Sequence, residues 1–138
     1  LNPATEVGGD YYDFFYKKGK YFYAICGDAT GHGVISGMMV SVTKAGLHGI
    51  PMAEPSKILG QLNQIVKKVN FGRLRMSLSV AKFNSNNIEL SSAAMPPTYI
   101  FSSKNNTLEE ILVPNLPLGG TSACVFDRSR YDTHVLAR

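Results

Sequence analysis

Two glycine–aspartate pairs bracket a run of aromatic residues in positions 6–33, EVGGDYYDFFYKKGKYFYAICGDATGHG, and little but a β-hairpin accommodates that order. Tyr11, Tyr12, Phe14, Phe15 and Tyr16 lead up to Lys17-Lys18-Gly19-Lys20, and residues 21–25 lead back, two strands joined by a short glycine-containing turn. A hairpin brings its outer ends together. Asp10 ends Gly8-Gly9-Asp10, and Asp28 lies in Gly27-Asp28-Ala29-Thr30-Gly31-His32-Gly33, so two carboxylates far apart in sequence become neighbours in space. Held close, they repel unless a cation lies between them, and hard oxygen ligands of this kind suit Mg²⁺ or Mn²⁺. The glycines fit the same picture, because without a Cβ the backbone can approach an ion or a phosphate. The same residue types also make ordinary turns, and Asp28 with Thr30 is suited to capping a helix that begins near His32 or Gly33. Both readings stand on the residues alone.

In order and spacing, Pro3-Ala4-Thr5-Glu6-Val7-Gly8-Gly9-Asp10-Tyr11-Tyr12-Asp13-Phe14 followed by Gly27-Asp28-Ala29-Thr30-Gly31-His32-Gly33 resembles the stage II sporulation protein E/RsbU-like branch of the PPM-type serine/threonine phosphatases. Glu54-Pro55 onward to Asn63, the strand at 75–83, Ser92-Ala93-Ala94-Met95-Pro96-Pro97 and Pro117-Leu118-Gly119-Gly120 are similar to further landmarks of that family, so the likeness runs through nearly the whole chain. It implies an α+β, PPM-like sandwich of antiparallel β-sheets flanked by α-helices, here incomplete. It also implies a metal-dependent protein phosphatase that hydrolyses phosphoserine or phosphothreonine on a regulatory protein, of the anti-anti-sigma type, in the bacterial cytoplasm. Two Mn²⁺ or Mg²⁺ ions would activate the attacking water, with no covalent enzyme intermediate. Carried onto this sequence, Asp10 and Asp28 become the catalytic metal ligands, joined by the backbone carbonyl of Ala29, while Gly9 and His32 stand where a phosphate or a water is oriented.

The resemblance has departures. The family pattern includes a further aspartate in a Thr-Asp-Gly-like motif on a late strand, and residues 1–138 are expected to be a single phosphatase-domain fragment lacking that ligand motif and the first half-strand. Ala93-Ala94-Met95 stands where the family commonly has Ala-Gly-His, and Ser36-Gly37 replaces a pair of alanines. These changes point to the alternative of a non-catalytic pseudophosphatase or regulator-binding module. A third reading is a nucleotide- or ligand-binding domain that uses its glycine turns for phosphate contact. Strand edges left open by such a fragment would favour pairing with a second copy, a homodimer.

Composition narrows the classes without choosing among them. At 138 residues, 44% hydrophobic and 17% charged, the chain suits one globular domain. No apolar run reaches the roughly 18 residues of a membrane span, and no signal segment opens the sequence. Fourteen basic against ten acidic residues give +4, with the cations scattered at Lys17, Lys18, Lys20, Lys67, Lys68, Arg73 and Arg75. That is a mildly basic surface suited to an acidic phosphoprotein, with no basic stripe interleaved with aromatics of the kind that reads nucleic acid. Cys26 and Cys124 fall in apolar strand patterns without metal spacing and are expected to be buried free thiols.

The remaining pattern supports the α+β class. Val34, Ile35, Met38, Met39, Val42 and Ala45 predict a helix from His32 to about His48 with one apolar face. Ile58, Leu59, Leu62, Ile65, Val66 and Val69 predict a second, opened by Pro55. Beyond Gly72 the period shortens to two, with Leu74, Met76, Leu78 and Val80 against Arg75, Ser77, Ser79 and Ala81, which predicts a strand with one buried face. Further strands are expected at 88–94, 98–102, 108–113, 121–126 and 131–136. His32 is read first as a hydrogen-bonding partner of its own turn. Asp13 alternates to the face opposite Asp10 and reads as structural, Asp127 and Asp132 do not follow the family motif, and Ser92, Thr98 and His134 read as strand surface.

Overall fold

The computed structural model describes residues 8–17, 20–85, 87–122, 126–127 and 129–132. The aromatic run folds as anticipated, into β1 (Asp10–Lys17) and β2 (Tyr21–Ala29), paired antiparallel from Asp10↔Asp28 to Lys17↔Tyr21. Two helices follow, α1 (Val34–Gly49) and α2 (Pro55–Val69). Then come β3 (Met76–Phe83), β4 (Asn87–Ala93), the hairpin β5 (Thr98–Ser102) and β6 (Thr107–Ile111), and β7 (Ser129–Asp132). All pairings are antiparallel: β1-β2-β3-β4-β7 form one five-stranded sheet and β5-β6 a separate two-stranded one. The 121–126 segment is not a strand at its described positions, Thr121, Ser122 and Phe126, and the predicted 131–136 strand begins two residues earlier, at Ser129. Residues 133–136, with His134, and Cys124 lie outside the described residues.

The two faces of the large sheet carry different chemistry. Tyr11, Tyr23, Ile25, Ala29, Met76, Leu78, Val80 and Ala93 share one face and form the main core with Met39 and Leu47 of α1 and Ile58, Leu59, Leu62 and Val66 of α2. Packed this way, each fully buried aliphatic side chain contributes roughly 1.5–3 kcal/mol. On the opposite face Leu90 and Ala81 meet Ile100, Ile111 and Val113, so the β5–β6 hairpin forms a second layer over β3 and β4. That layer corrects two expectations. Ser79 and Ser92, register partners on this outer face, are 7% and 3% exposed, so β3 is buried on both faces at Ser79 and Ser92 is not strand surface.

Helix α1 buries a different stripe from the one its apolar residues suggest. Ser36, Met39, Thr43, Gly46 and Leu47 face the core, whereas Val34, Ile35 and Met38 are 69%, 57% and 53% exposed. Ser36 and Thr43 remove the cost of burying a hydroxyl by donating to carbonyls of their own helix, Gly33 at 2.8 Å and Met39 at 2.9 Å. Gly46 allows the helices to touch, since a Cβ there would lie 2.9 Å from Leu62 Cδ2. Against α2, size mattered more than hydrophobicity. In α2 the predicted stripe is buried at Ile58, Leu59, Leu62 and Val66 and partly at Ile65, while Val69 in the last turn is exposed; the helix stops at Asn70, which takes the left-handed conformation (φ 57°) and caps it through its N–H to Val66 O.

Candidate metal centre

On the outer face the strand register lays out four cross-strand rows. Asp10, Asp28 and Ser77 form the first; Tyr12, Cys26, Ser79 and Ser92 the second; Phe14, Ala24, Ala81 and Leu90 the third; Tyr16, Phe22, Phe83 and Ile88 the last. The face therefore runs from carboxylates at one end, through hydroxyls and a thiol, to aromatics at the other. Asp10 and Asp28 are direct partners and both are exposed. Gly9 closes the arrangement. Its carbonyl accepts the Ala29 N–H at 3.0 Å, and a Cβ built on it would lie 2.6 Å from Ala29 O and 2.9 Å from Asp28 Oδ1. Any side chain at position 9 would fill the space beside these two oxygens, which is the close approach that requires glycine here.

The turn that follows Asp28 is held by backbone geometry. Gly31 (φ 91°) and Gly33 (φ 74°) occupy the left-handed region, and Gly33 is the N-cap of α1 with no side-chain cap. Capping is thus not the task of Asp28 or Thr30. Thr30 instead clasps the start of β3: its N–H and hydroxyl donate to Arg75 O at 2.9 and 3.0 Å, and its Oγ1 accepts the Arg75 N–H at 2.7 Å. His32 is exposed, and its ring makes no hydrogen bond to another described residue, contrary to the role expected of it in the turn. Cys26 is free and exposed rather than buried, because it shares the outer face with Asp28. Asp127 gives its backbone carbonyl to Ser91 and Asn115, and Asp132 pairs with Asn87 at the far end of the sheet.

Asp13 is structural, on the face opposite Asp10. It accepts hydrogen bonds from the Tyr11 hydroxyl (2.9 Å) and the Phe14 N–H (2.8 Å) and pairs with His48 Nε2 of α1 (3.2 Å). Burial works to raise its pKa, but the Phe14, Tyr11 and His48 contacts together hold it below the ordinary value. The Tyr11 hydroxyl is pushed well up, first by burial and then by Asp13, so it stays a donor.

Sequence reasoning missed one support of this end of the sheet. Asn63, fully buried on α2, accepts the Gly119 N–H at 2.8 Å and donates to Thr121 O at 3.1 Å. With the Met76↔Leu118 bridge it ties the 117–121 turn to the strand beside Asp28. A polar residue inside the Leu59–Leu62–Val66 stripe was the available signal.

The donor set is two carboxylates and a main-chain carbonyl, all hard oxygens of the kind Mg²⁺ and Mn²⁺ prefer. Among the described residues no three His, Cys, Asp or Glu side chains gather in one place.

A five-stranded antiparallel sheet with two helices on one face and a second β-layer on the other is the arrangement of a PP2C-type domain, and solved structures of that class superpose on it. The SiaA-PP2C domain of Pseudomonas aeruginosa matches with TM-score 0.77 at 16% identity, over 91% of this chain and 51% of its own. The RsbU and RsbW domains of Rv1364c from Mycobacterium tuberculosis match with TM-score 0.75 at 21% identity, over 97% and 38%. RsbX in complex with magnesium matches with TM-score 0.74 at 17% identity, over 96% and 64%. This chain spans less than two thirds of each of these structures. Comparison with curated proteins gives no match. The model of the Stage II sporulation protein E (SpoIIE) family matches residues 18–136, and the chain belongs to that family. Among the described residues no helix is long and apolar enough to cross a membrane.

Proposed function

We propose that this domain is a metal-dependent phosphoprotein phosphatase, acting on phosphoserine or phosphothreonine of a regulatory protein of the anti-anti-sigma type. The observation that carries the reading is the Asp10↔Asp28 register with Ala29 O and Asp28 Oδ1 beside the side-chain-free Gly9. Asp10, Asp28 and the Ala29 carbonyl are the groups that would hold divalent cations, with two ions expected in the complete domain. Bound there, Mn²⁺ or Mg²⁺ supplies a polarised water and neutralises charge on a phosphoryl group. The protein's own part is to hold its carboxylates on adjacent strands of one sheet and to fix the Gly31–Gly33 turn through the Thr30–Arg75 clasp. Exposed His32 stands at that turn, open to orient a phosphate or a water.

One observation favours a second reading, a non-catalytic module that binds the same regulator: no third carboxylate joins the pair among the described residues. Mn²⁺ calorimetry beside hydrolysis of a phosphoserine peptide separates the two. For the phosphatase, Asp28→Asn loses turnover and metal binding while keeping the parent's circular dichroism. Turnover equal to the parent's in that variant would refute the metal assignment, and metal binding without turnover would favour the module.

A further inference from the structure

Between Glu54 and Glu89 the chain has no acidic residue, yet it carries six cations: Lys57, Lys67, Lys68, Arg73, Arg75 and Lys82. Elsewhere eight basic residues face ten acidic ones, so the +4 of the whole chain arises in this stretch. Four of the six fall in residues 67–75, the elbow from the last turn of α2 to the start of β3. Lys67, Lys68 and Arg73 are exposed, and none of the four forms an ion pair among the described residues.

The elbow is built rather than loose. Asn70 (φ 57°) and Gly72 (φ 63°) turn the chain back through left-handed conformations, and Arg75 Nη1 donates to Gly72 O and Leu74 O, each at 2.7 Å. It borders a cavity of about 160 Å³ whose lining includes Lys67, Phe71, Arg75 and Gly119. At Arg75 it also meets the turn that follows Asp28. The Arg75 backbone is the partner of Thr30, and Ser77, two residues on, is the register partner of Asp28.

We propose that this elbow recognises an acidic segment of the phosphoprotein, with the residues flanking the phosphorylated side chain lying along Lys67, Lys68 and Arg73. The inference rests on the phosphoprotein reading above and adds the substrate's sequence preference. Any one exposed ion pair contributes little. Four cations within residues 67–75, none in an ion pair among the described residues, create a local potential that attracts and orients a polyanion and weakens with salt over a Debye length of about 8 Å. Nucleic acid is the other polyanion such charge attracts, but single-strand binding uses exposed aromatics as stacking platforms, and the aromatic of this elbow, Phe71, packs against the core.

The test is fluorescence anisotropy in Mg²⁺-containing buffer with a non-hydrolysable phosphonate peptide flanked by Glu and Asp, the same peptide flanked by Ala and Gln, and a mixed-sequence single-stranded oligodeoxynucleotide. The acidic peptide is expected to bind at least about tenfold tighter than the neutral one at low salt. Lys67→Glu combined with Lys68→Glu, and separately Arg73→Glu, should remove most of that preference, while Lys20→Glu at the distant hairpin turn should leave it. Equal binding of the two peptides would overturn the proposal, as would an equal loss in Lys20→Glu. Tighter binding of the oligodeoxynucleotide, lost in the elbow variants, would overturn it in favour of a nucleic-acid surface. Hydrolysis is read separately: acid preference without turnover keeps the elbow and removes the phosphatase reading, and turnover without acid preference does the reverse.

Discussion

Gly9 shows how much one missing Cβ decides. A methyl group there meets the Ala29 carbonyl, which is backbone and cannot rotate away, as well as Asp28 Oδ1. Gly9→Ala is therefore expected to lower stability by about 1–3 kcal/mol through overpacking and to weaken Mn²⁺ binding by displacing two of the donors. Urea denaturation and calorimetry on the same variant read these separately; affinity equal to the parent's would remove the Ala29 carbonyl from the centre. The pair of aspartates was legible in the sequence because a hairpin with a lysine–glycine turn leaves little freedom of register. The outward orientation of Cys26 was open to the same period-two reading, since it alternates with Ile25 and lies two residues before Asp28, but its apolar neighbours led to the expectation of a buried thiol instead. The Thr30–Arg75 clasp was not, because nothing local in a threonine announces a partner forty-five residues away.

Among the elements, β1 and α1 show what patterning can and cannot convey. Apolar periodicity placed both helices in sequence but turned α1 to the wrong face, because its buried side includes Ser36, Thr43 and Gly46, the last in close contact with α2, and these small residues carry no hydrophobic signal. Edge strand β1 is fastened to α1 through Asp13 and His48, with the Phe15 and His48 rings 4.9 Å apart. The folded-state pKa of Asp13 lies below its ordinary 3.8, so its contribution to stability is present above that value and is lost as pH falls through the folded one. Asp13→Asn should cost on the order of 1 kcal/mol at neutral pH and flatten the loss of stability on acidification below pH 3.8. Urea midpoints across that range check this, and a variant whose acid limb matches the parent's would show that Asp13 is not the group responsible.

Over the whole molecule, the outer face of the large sheet is what the two helices exist to support. They bury the apolar centre of its inner face, leaving the outer one to carry carboxylates at one end and a row of aromatics at the other, with the β5–β6 layer lying over part of it. Because the carboxylates lie on β1 and β2, which pair along their full length, a cation held between them links the site to the stability of the sheet. Ligand that binds only the folded state stabilises it by RT ln(1 + [L]/Kd), about 2.7 kcal/mol at a hundredfold excess over Kd. In a domain of this size that is a rise in Tm of several degrees, by the usual scaling of roughly 2–8 °C per kcal/mol. Saturating Mn²⁺ should therefore raise the Tm of the parent and leave Asp10→Asn and Asp28→Asn unmoved, with EDTA returning the parent to its metal-free value. A Tm that rises equally in all three would place metal binding elsewhere on the molecule, and a parent that does not respond would mean that these oxygens alone do not hold the ion.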